Sequence, residues 1–145
     1  MSSYTSKTQN IQNVVLDSSV IAKWFIDEEG SLEARSIYSQ AQELSINICA
    51  PTLAQFEIGN VLVKKKFSAI HARYILQTLN ESPIKWIDMT TQIMNRTYDI
   101  AIAYQITFYD SVFIACAESV EANLISANVK HQGKYSGVVK IKSLL

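Results

Sequence analysis

The sequence predicts an α/β fold, a three-layer α/β/α sandwich around a central, mostly parallel sheet of about five strands. Short β-branched or apolar runs alternate with longer stretches whose apolar residues recur at helical spacing. One or two helical stretches separate consecutive strand candidates, the arrangement that right-handed parallel crossovers produce, with helices on both faces of the sheet. At 145 residues the chain has the size of one domain. A chain of that length buries about two-thirds of the surface its unfolded form exposes.

Residues 14–16 (Val-Val-Leu) read as the first strand, and Val20, Ile21, Trp24 and Phe25 mark a helix from Ser18 onward, with Asp17 at the joint. Gly30 and Ser31 restart the pattern, since Ala34, Ile37, Ala41 and Leu44 share one helical face. Residues 46–50 form a strand stopped by Pro51, after which Thr52 and Gln55 have the spacing of a capping box. The helix so opened carries Glu57 and ends near Lys64-Lys-Lys66. Ser68 caps another, with Ala72, Ile75, Leu76 and Leu79 on one face.

After Pro83, residues 84–87 read as the third strand and residues 90–104 as a helix. Residues 109–120 contain the apolar run Val112-Phe-Ile-Ala-Cys-Ala117, too long for a strand, and read as a buried helix headed by Asp110. The last strands are residues 123–126 and 138–141, joined by a loop containing glycine and lysine. Residues 1–12 read as a flexible polar tail and residues 13–145 as a single domain.

Apolar residues make up 48% and charged residues 18% of the chain, which suits a compact fold and excludes a disordered one beyond the ends. Thirteen basic and thirteen acidic residues cancel, so any grip on nucleic acid is local. Cys49 and Cys116 lie inside apolar runs and read as core thiols of a reducing compartment, with no disulfide framework or zinc-ligand spacing. The opening ten residues lack the apolar core of a signal peptide, and no later run reaches membrane-spanning length, so a cytoplasmic location is expected.

Folds of this kind take ligands beyond the carboxyl ends of their strands. Asp17 directly follows the first strand, and Asn128 closely follows the fourth. Asp17 alone also suits a helix N-cap, and Asp110 suits the positive end of its helix. Glu57 is harder to explain structurally, because its helical neighbours Leu53, Ala54, Asn60 and Val61 are largely apolar. A buried carboxylate costs several kcal/mol unless it is neutralised, paired or metal-bound. Three acids entering one edge repel one another without a cation, and their oxygens suit Mg²⁺ or Mn²⁺. His71 and His131 are far apart and read as surface residues.

The run Val15-Leu-Asp-Ser-Ser-Val-Ile-Ala-Lys-Trp-Phe-Ile-Asp-Glu-Glu-Gly-Ser31 resembles the opening of PIN domains in VapC-type toxins. Ala50-Pro-Thr-Leu-Ala-Gln-Phe-Glu-Ile-Gly-Asn60 resembles their Glu-bearing helix, and Tyr109-Asp-Ser-Val-Phe-Ile-Ala-Cys-Ala-Glu118 their third acidic motif. Leu124-Ile-Ser-Ala-Asn128 matches the fourth, with Asn where the family has Asp. An Asn can ligate through its carbonyl oxygen but adds no negative charge. Glu118 lies two turns beyond Asp110, too far to replace it, and reads as structural.

The resemblance implies a metal-dependent ribonuclease with Asp17, Glu57, Asp110 and Asn128 at its catalytic site, the three acids being the ligands of Mg²⁺ or Mn²⁺. Ser18 and Ser126 then either orient waters and carboxylates or merely satisfy turns. Lys130, His131 and Lys134 could meet RNA phosphates at the rim, whereas Lys64-Lys-Lys66 reads first as a solvated helix end. The resemblance also implies a homodimer and a VapB-type antitoxin. Two alternatives stay open: a catalytically weakened PIN-like domain that binds RNA or protein, and a receiver-like phosphorylation switch. The second lacks the adjacent acids such a pocket carries, since Val-Val-Leu precedes Asp17.

Overall fold

A computed structural model describes residues 11–145; residues 1–10 of the expected tail lie outside the described residues. The strands are β1 (Gln12–Leu16), β2 (Ile46–Pro51), β3 (Lys85–Ile87), β4 (Asn123–Ser126) and β5 (Ile141–Ser143). The helices are α1 (Ser18–Ala22), α2 (Ser31–Gln42), α3 (Leu53–Lys64), α4 (Ala69–Asn80), α5 (Thr91–Tyr104), α6 (Phe108–Ser119) and α7 (Val129–Gln132). The sheet is parallel throughout, in the order β3-β2-β1-β4-β5.

The chain runs outward from β1 to β2 and β3, then crosses back to place β4 on the other side of β1. Right-handed crossovers put the helices of outward and return paths on opposite faces. Accordingly α1 packs with α2 and α3, and α3 with α4, whereas α6 packs on β1, β2 and β4 with α5 and α7 against it. This is the expected three-layer sandwich.

The middle layer is apolar on both faces, as a covered parallel sheet must be. Val15, Leu16, Ala50 and Leu124 are wholly or almost wholly buried, and so are residues 112–117 of α6. Cys49 and Cys116 are buried free thiols within this core. Trp24 closes one end: its ring meets Tyr38 edge-on at 4.9 Å, and its Nε1 donates to Ala34 O at 2.8 Å.

Several local expectations are corrected. Thr52 has helical backbone angles and its hydroxyl caps nothing, so the Thr52/Gln55 pair is not a capping box. The side chain of Ser68 does cap α4, accepting from His71 N. Leu44 takes a left-handed φ of 57° and points to solvent, because α2 has already ended at Gln42. Leu76 is partly exposed while Ile75 and Leu79 carry the buried stripe of α4. Helix α6 begins at Phe108, capped by Thr107, so Asp110 sits in its first turn rather than at its head. The fifth strand is shifted to Ile141–Ser143, leaving Val138 exposed, and the joining loop contains the short helix α7.

Candidate active site

Strand order turns about β1, so a crevice opens beyond the carboxyl ends of β1 and β4, where folds of this class hold ligands. Leu16 pairs with Ile125, and the Asp17 N–H still donates to Ile125 O at 3.0 Å. The next residues, Asp17 and Ser126, therefore meet across the crevice.

Asp17 has extended backbone and caps α1, its Oδ1 accepting from Ser19 N at 2.9 Å. Its Oδ2 accepts from the Ser126 hydroxyl at 2.9 Å. The N-cap role and the functional role raised for this residue are thus compatible, since one oxygen faces the helix and the other faces β4. Ser18 Oγ lies 3.3 Å from Asp17 Oδ1 and 3.2 Å from Glu57 Oε1. One hydroxyl hydrogen serves one carboxylate at a time, so Ser18 is shared between two acids 40 residues apart in sequence.

Packing of α3 on α1 brings Glu57 to this point. Burial pushes the Glu57 carboxyl up to about 7, and the negative charge of Asp17 adds to the rise. The hydrogen bond from Ser18 opposes it, and Asp110 contributes a smaller repulsion. The three acids therefore form one electrostatic group.

They do not form a closed cage. Among the described residues no three His, Cys, Asp or Glu side chains gather tightly enough to hold one ion. Asp110 turns toward its own cap, with Thr107 Oγ1 donating to Asp110 Oδ2 at 2.9 Å and accepting from Asp110 N at 3.1 Å. Mg²⁺ keeps several waters and commonly takes only one or two carboxylates. The Asp17 and Glu57 pair, charge-crowded and bridged by a hydroxyl, fits such an ion in donor chemistry.

Asn128 is linked to the acids through its backbone alone. It is exposed, its backbone N–H donates to Ser126 Oγ at 3.0 Å, and its side chain makes no hydrogen bond among the described residues. Ser126 is wholly buried and ties Asp17 and the Asn128 backbone to one oxygen. Sequence reasoning missed Ser19, whose hydroxyl accepts from Ala127 N at 3.2 Å and so links α1 to the end of β4. It also missed Thr107, although Thr107-x-x-Asp110 carries the helix-start spacing that was sought at Thr52.

Residues 14–135 match the family model of the PIN domain. The chain belongs to the PIN-domain family. It is 27% identical over 132 residues to Ribonuclease VapC3 of Pyrobaculum aerophilum, an alignment covering 87% of this PIN chain and 97% of the relative. Its fold is similar to that of VapBC2 from Rickettsia felis bound to a promoter DNA fragment, with a TM-score of 0.72 at 12% identity, covering 91% of this chain and 98% of that one. It is also similar to Mycobacterium tuberculosis VapC20, described as a Sarcin-Ricin loop cleaving toxin, with a TM-score of 0.66 at 10% identity over 88% of this chain and 98% of that one.

Beside Asp110, the PIN domain has a cleft of about 240 Å³ lined by Gln105, Ile106, Thr107, Asp110, Lys130, His131 and Lys134. The three basic residues suggested by the sequence thus share a cavity with the third acid. Lys64, Lys65 and Lys66 lie exposed at the end of α3 and line no part of it. A larger cavity of about 600 Å³ lies between α5 and α6, lined by Arg96, Asp99 and Glu118 among others, and includes none of the four predicted catalytic residues.

Proposed function

We propose that this PIN-domain chain is an endoribonuclease dependent on Mg²⁺ or Mn²⁺ and is the toxin of a VapBC-type pair. The observation that carries the reading is the Asp17–Ser18–Glu57 arrangement, with the Glu57 carboxyl raised by burial and by its acidic neighbours. A structural carboxylate would be paired with a base; here the neighbour is another acid. The 27% identity to a ribonuclease along most of both chains supports the same activity.

Asp17 and Glu57 would hold the cation, with Asp110 completing the negative field. A bound divalent ion supplies charge stabilisation at the phosphate and a more acidic water for in-line attack. The chain's own groups prepare that site. Ser126 fixes the angle of the Asp17 carboxylate, and Ser18 gives its hydrogen to whichever acid is charged. Glu57, whose proton is half lost near pH 7, releases it fully when positive charge arrives. Asn128 would meet water or ligand only through a neutral amide, which favours a single ion over two.

The test is cleavage of single-stranded RNA with Mg²⁺, with Mn²⁺ and with chelator, beside the Asp17→Asn protein to exclude contaminating nuclease. Cleavage that needs the ion and Asp17 supports the reading. The Asn at position 128 and the Asp110 carboxylate turned onto Thr107 favour a second reading, a catalytically weakened module that binds RNA or protein. RNA binding without cleavage at any metal concentration would select it.

A VapB-type antitoxin and a second copy of the chain are proposed partners. Large apolar side chains stand exposed for such contacts: Phe56 and Val63 on α3, Ile70 and Tyr74 on α4, Tyr98 and Ile102 on α5. Light scattering of the purified chain reads the dimer directly. We also place the chain in the cytoplasm, the location such a pair requires; among the described residues no single helix is long and apolar enough to cross a membrane.

A further inference from the structure

We propose that the cleft beside Asp110 is a subsite for the phosphate adjoining the scissile one in an RNA strand, held by Lys130, His131 and Lys134. The inference rests on the ribonuclease reading and goes further, because it assigns a separate place to a phosphate that does not react.

The chain has no net charge, yet this cavity collects two lysines and a histidine around a single acid. Ion pairs elsewhere join Lys23 to Glu28, Arg35 to Asp27 and Arg96 to Glu118. Among the described residues, Lys130 and Lys134 have no acidic partner at salt-bridge distance. Cations left unpaired along a concave wall create a positive field that an anion can neutralise. The volume of about 240 Å³ is ample for a phosphate with some of its hydration. Gln105 and Thr107 add neutral hydrogen-bonding groups to the lining.

The position of the cleft separates it from the reacting phosphate. Asp110 forms one wall, but neither Asp17 nor Glu57 lines it. A strand with its scissile phosphate over the Asp17 and Glu57 pair would pass Asp110 and set its next phosphate among the lysines.

The cationic wall is braced from behind. Both lysines lie on or just after α7, and Tyr135 follows directly. The Tyr135 hydroxyl donates to Glu118 Oε1 at 2.8 Å and accepts from Val139 N at 3.3 Å. Glu118 in turn accepts two hydrogen bonds from Arg96, at 2.7 and 2.9 Å. The segment is therefore fixed to α6 and α5, so the lysines face a preformed cavity.

The experiment compares two probes, a dinucleoside monophosphate with one phosphate and a trinucleoside diphosphate with two, on the wild-type chain and on Lys130→Ala/Lys134→Ala. Both side chains are exposed, and unchanged thermal unfolding verifies that the variant folds. The wild type should show a KM about tenfold lower for the longer probe. In the variant that advantage should fall to near parity. For a longer RNA, the slope of log affinity against log salt should become shallower by about 0.7 for each lysine removed. Retention of the full advantage, with an unchanged salt slope, overturns the subsite. Should the wild type cleave neither probe, calorimetric binding of the same probes decides the subsite, and cleavage of the longer RNA decides the ribonuclease reading separately. Tighter binding of the longer probe that disappears in the variant supports the subsite; equal binding of both probes by the wild type overturns it.

Discussion

The Ser126 hydroxyl donates to Asp17 Oδ2 at 2.9 Å, joining the end of β4 to the end of β1 where strand order turns. The same oxygen accepts from Asn128 N at 3.0 Å, so one buried atom orients an acid and the backbone of the residue that departs from the family pattern. Ser126→Ala removes both bonds and leaves a backbone N–H without its partner. The expected cost is about 1–3 kcal/mol of stability. Metal affinity should weaken by about 10–100-fold, the usual effect of losing a group that orients a ligand. Calorimetric Mn²⁺ titration and thermal unfolding measure the two effects separately. An unchanged Mn²⁺ affinity would remove Ser126 from the site.

Asp17→Asn and Asp110→Asn should each lower RNA cleavage by at least about 100-fold with the fold retained. Asn is as good an N-cap as Asp, so α1 keeps its start after the first change. Asp110 lies in the partly exposed first turn of α6, whose cap is Thr107. Each change removes negative charge near Glu57 and should bring its carboxyl down toward the ordinary range, more so for Asp17, the larger contributor. Circular dichroism checks the fold, and cleavage at saturating Mg²⁺ checks the role. Wild-type rates in either protein would refute that residue's part in catalysis.

Glu57 makes the metal-free protein sensitive to pH. Its folded-state pKa is raised, from 4.5 to about 7, so between these values the folded state binds the extra proton and stability falls as pH rises. With the shift discounted for partial exposure, the loss is on the order of 1 kcal/mol, or about 3 °C in Tm. Unfolding at pH 5 and pH 8 in chelator should show this decrease, Glu57→Gln should abolish it, and Mg²⁺ should restore stability at pH 8. Glu118 acts in the opposite sense. Its pKa is lowered chiefly by its hydrogen bonds from Arg96, so its contribution is present above the ordinary carboxylate value and disappears in more acid solution, outside this window. A Tm that rises from pH 5 to pH 8 in chelator would contradict the assignment for Glu57.

The layers, and the unusual settings of the first two acids, were legible in the sequence because each rests on a local pattern. Val-Val-Leu before Asp17 and the apolar run of α6 can bury themselves in only a few ways, and Glu57 amid apolar neighbours signals a charge that needs an explanation. What escaped was set by backbone angles, strand register and a neighbouring side chain. Thr52 has the right spacing for a capping box but enters α3 with helical angles straight from β2, and its hydroxyl caps nothing. Residues 138–141 look like a strand by composition, yet pairing of Leu124 with Ile141 sets the register and moves β5 toward the C-terminus. The side-chain direction of Asp110 follows its hydrogen bond with Thr107, three residues earlier.

Asn128→Asp tests whether the fourth motif still belongs to the site. The residue hangs by its backbone from Ser126, the same group that holds Asp17, and its exposed side chain has no protein partner among the described residues that a change would break. An added carboxylate there increases the negative field on a hard cation that otherwise keeps waters. The Mg²⁺ or Mn²⁺ concentration for half-maximal cleavage should therefore fall, by about 3–10-fold for a gain near 1 kcal/mol. Without metal the same charge adds to the repulsion already felt by Glu57, so the chelated protein should lose stability at pH 8 and its Glu57 carboxyl should rise further. The two effects have opposite signs and one cause, which separates a charge near the cation from a general change in folding. Metal titration by calorimetry and by cleavage, beside unfolding in chelator, reads both. Unchanged metal affinity with unchanged stability would place Asn128 outside the field of the acids and leave catalysis to Asp17, Glu57 and Asp110 alone.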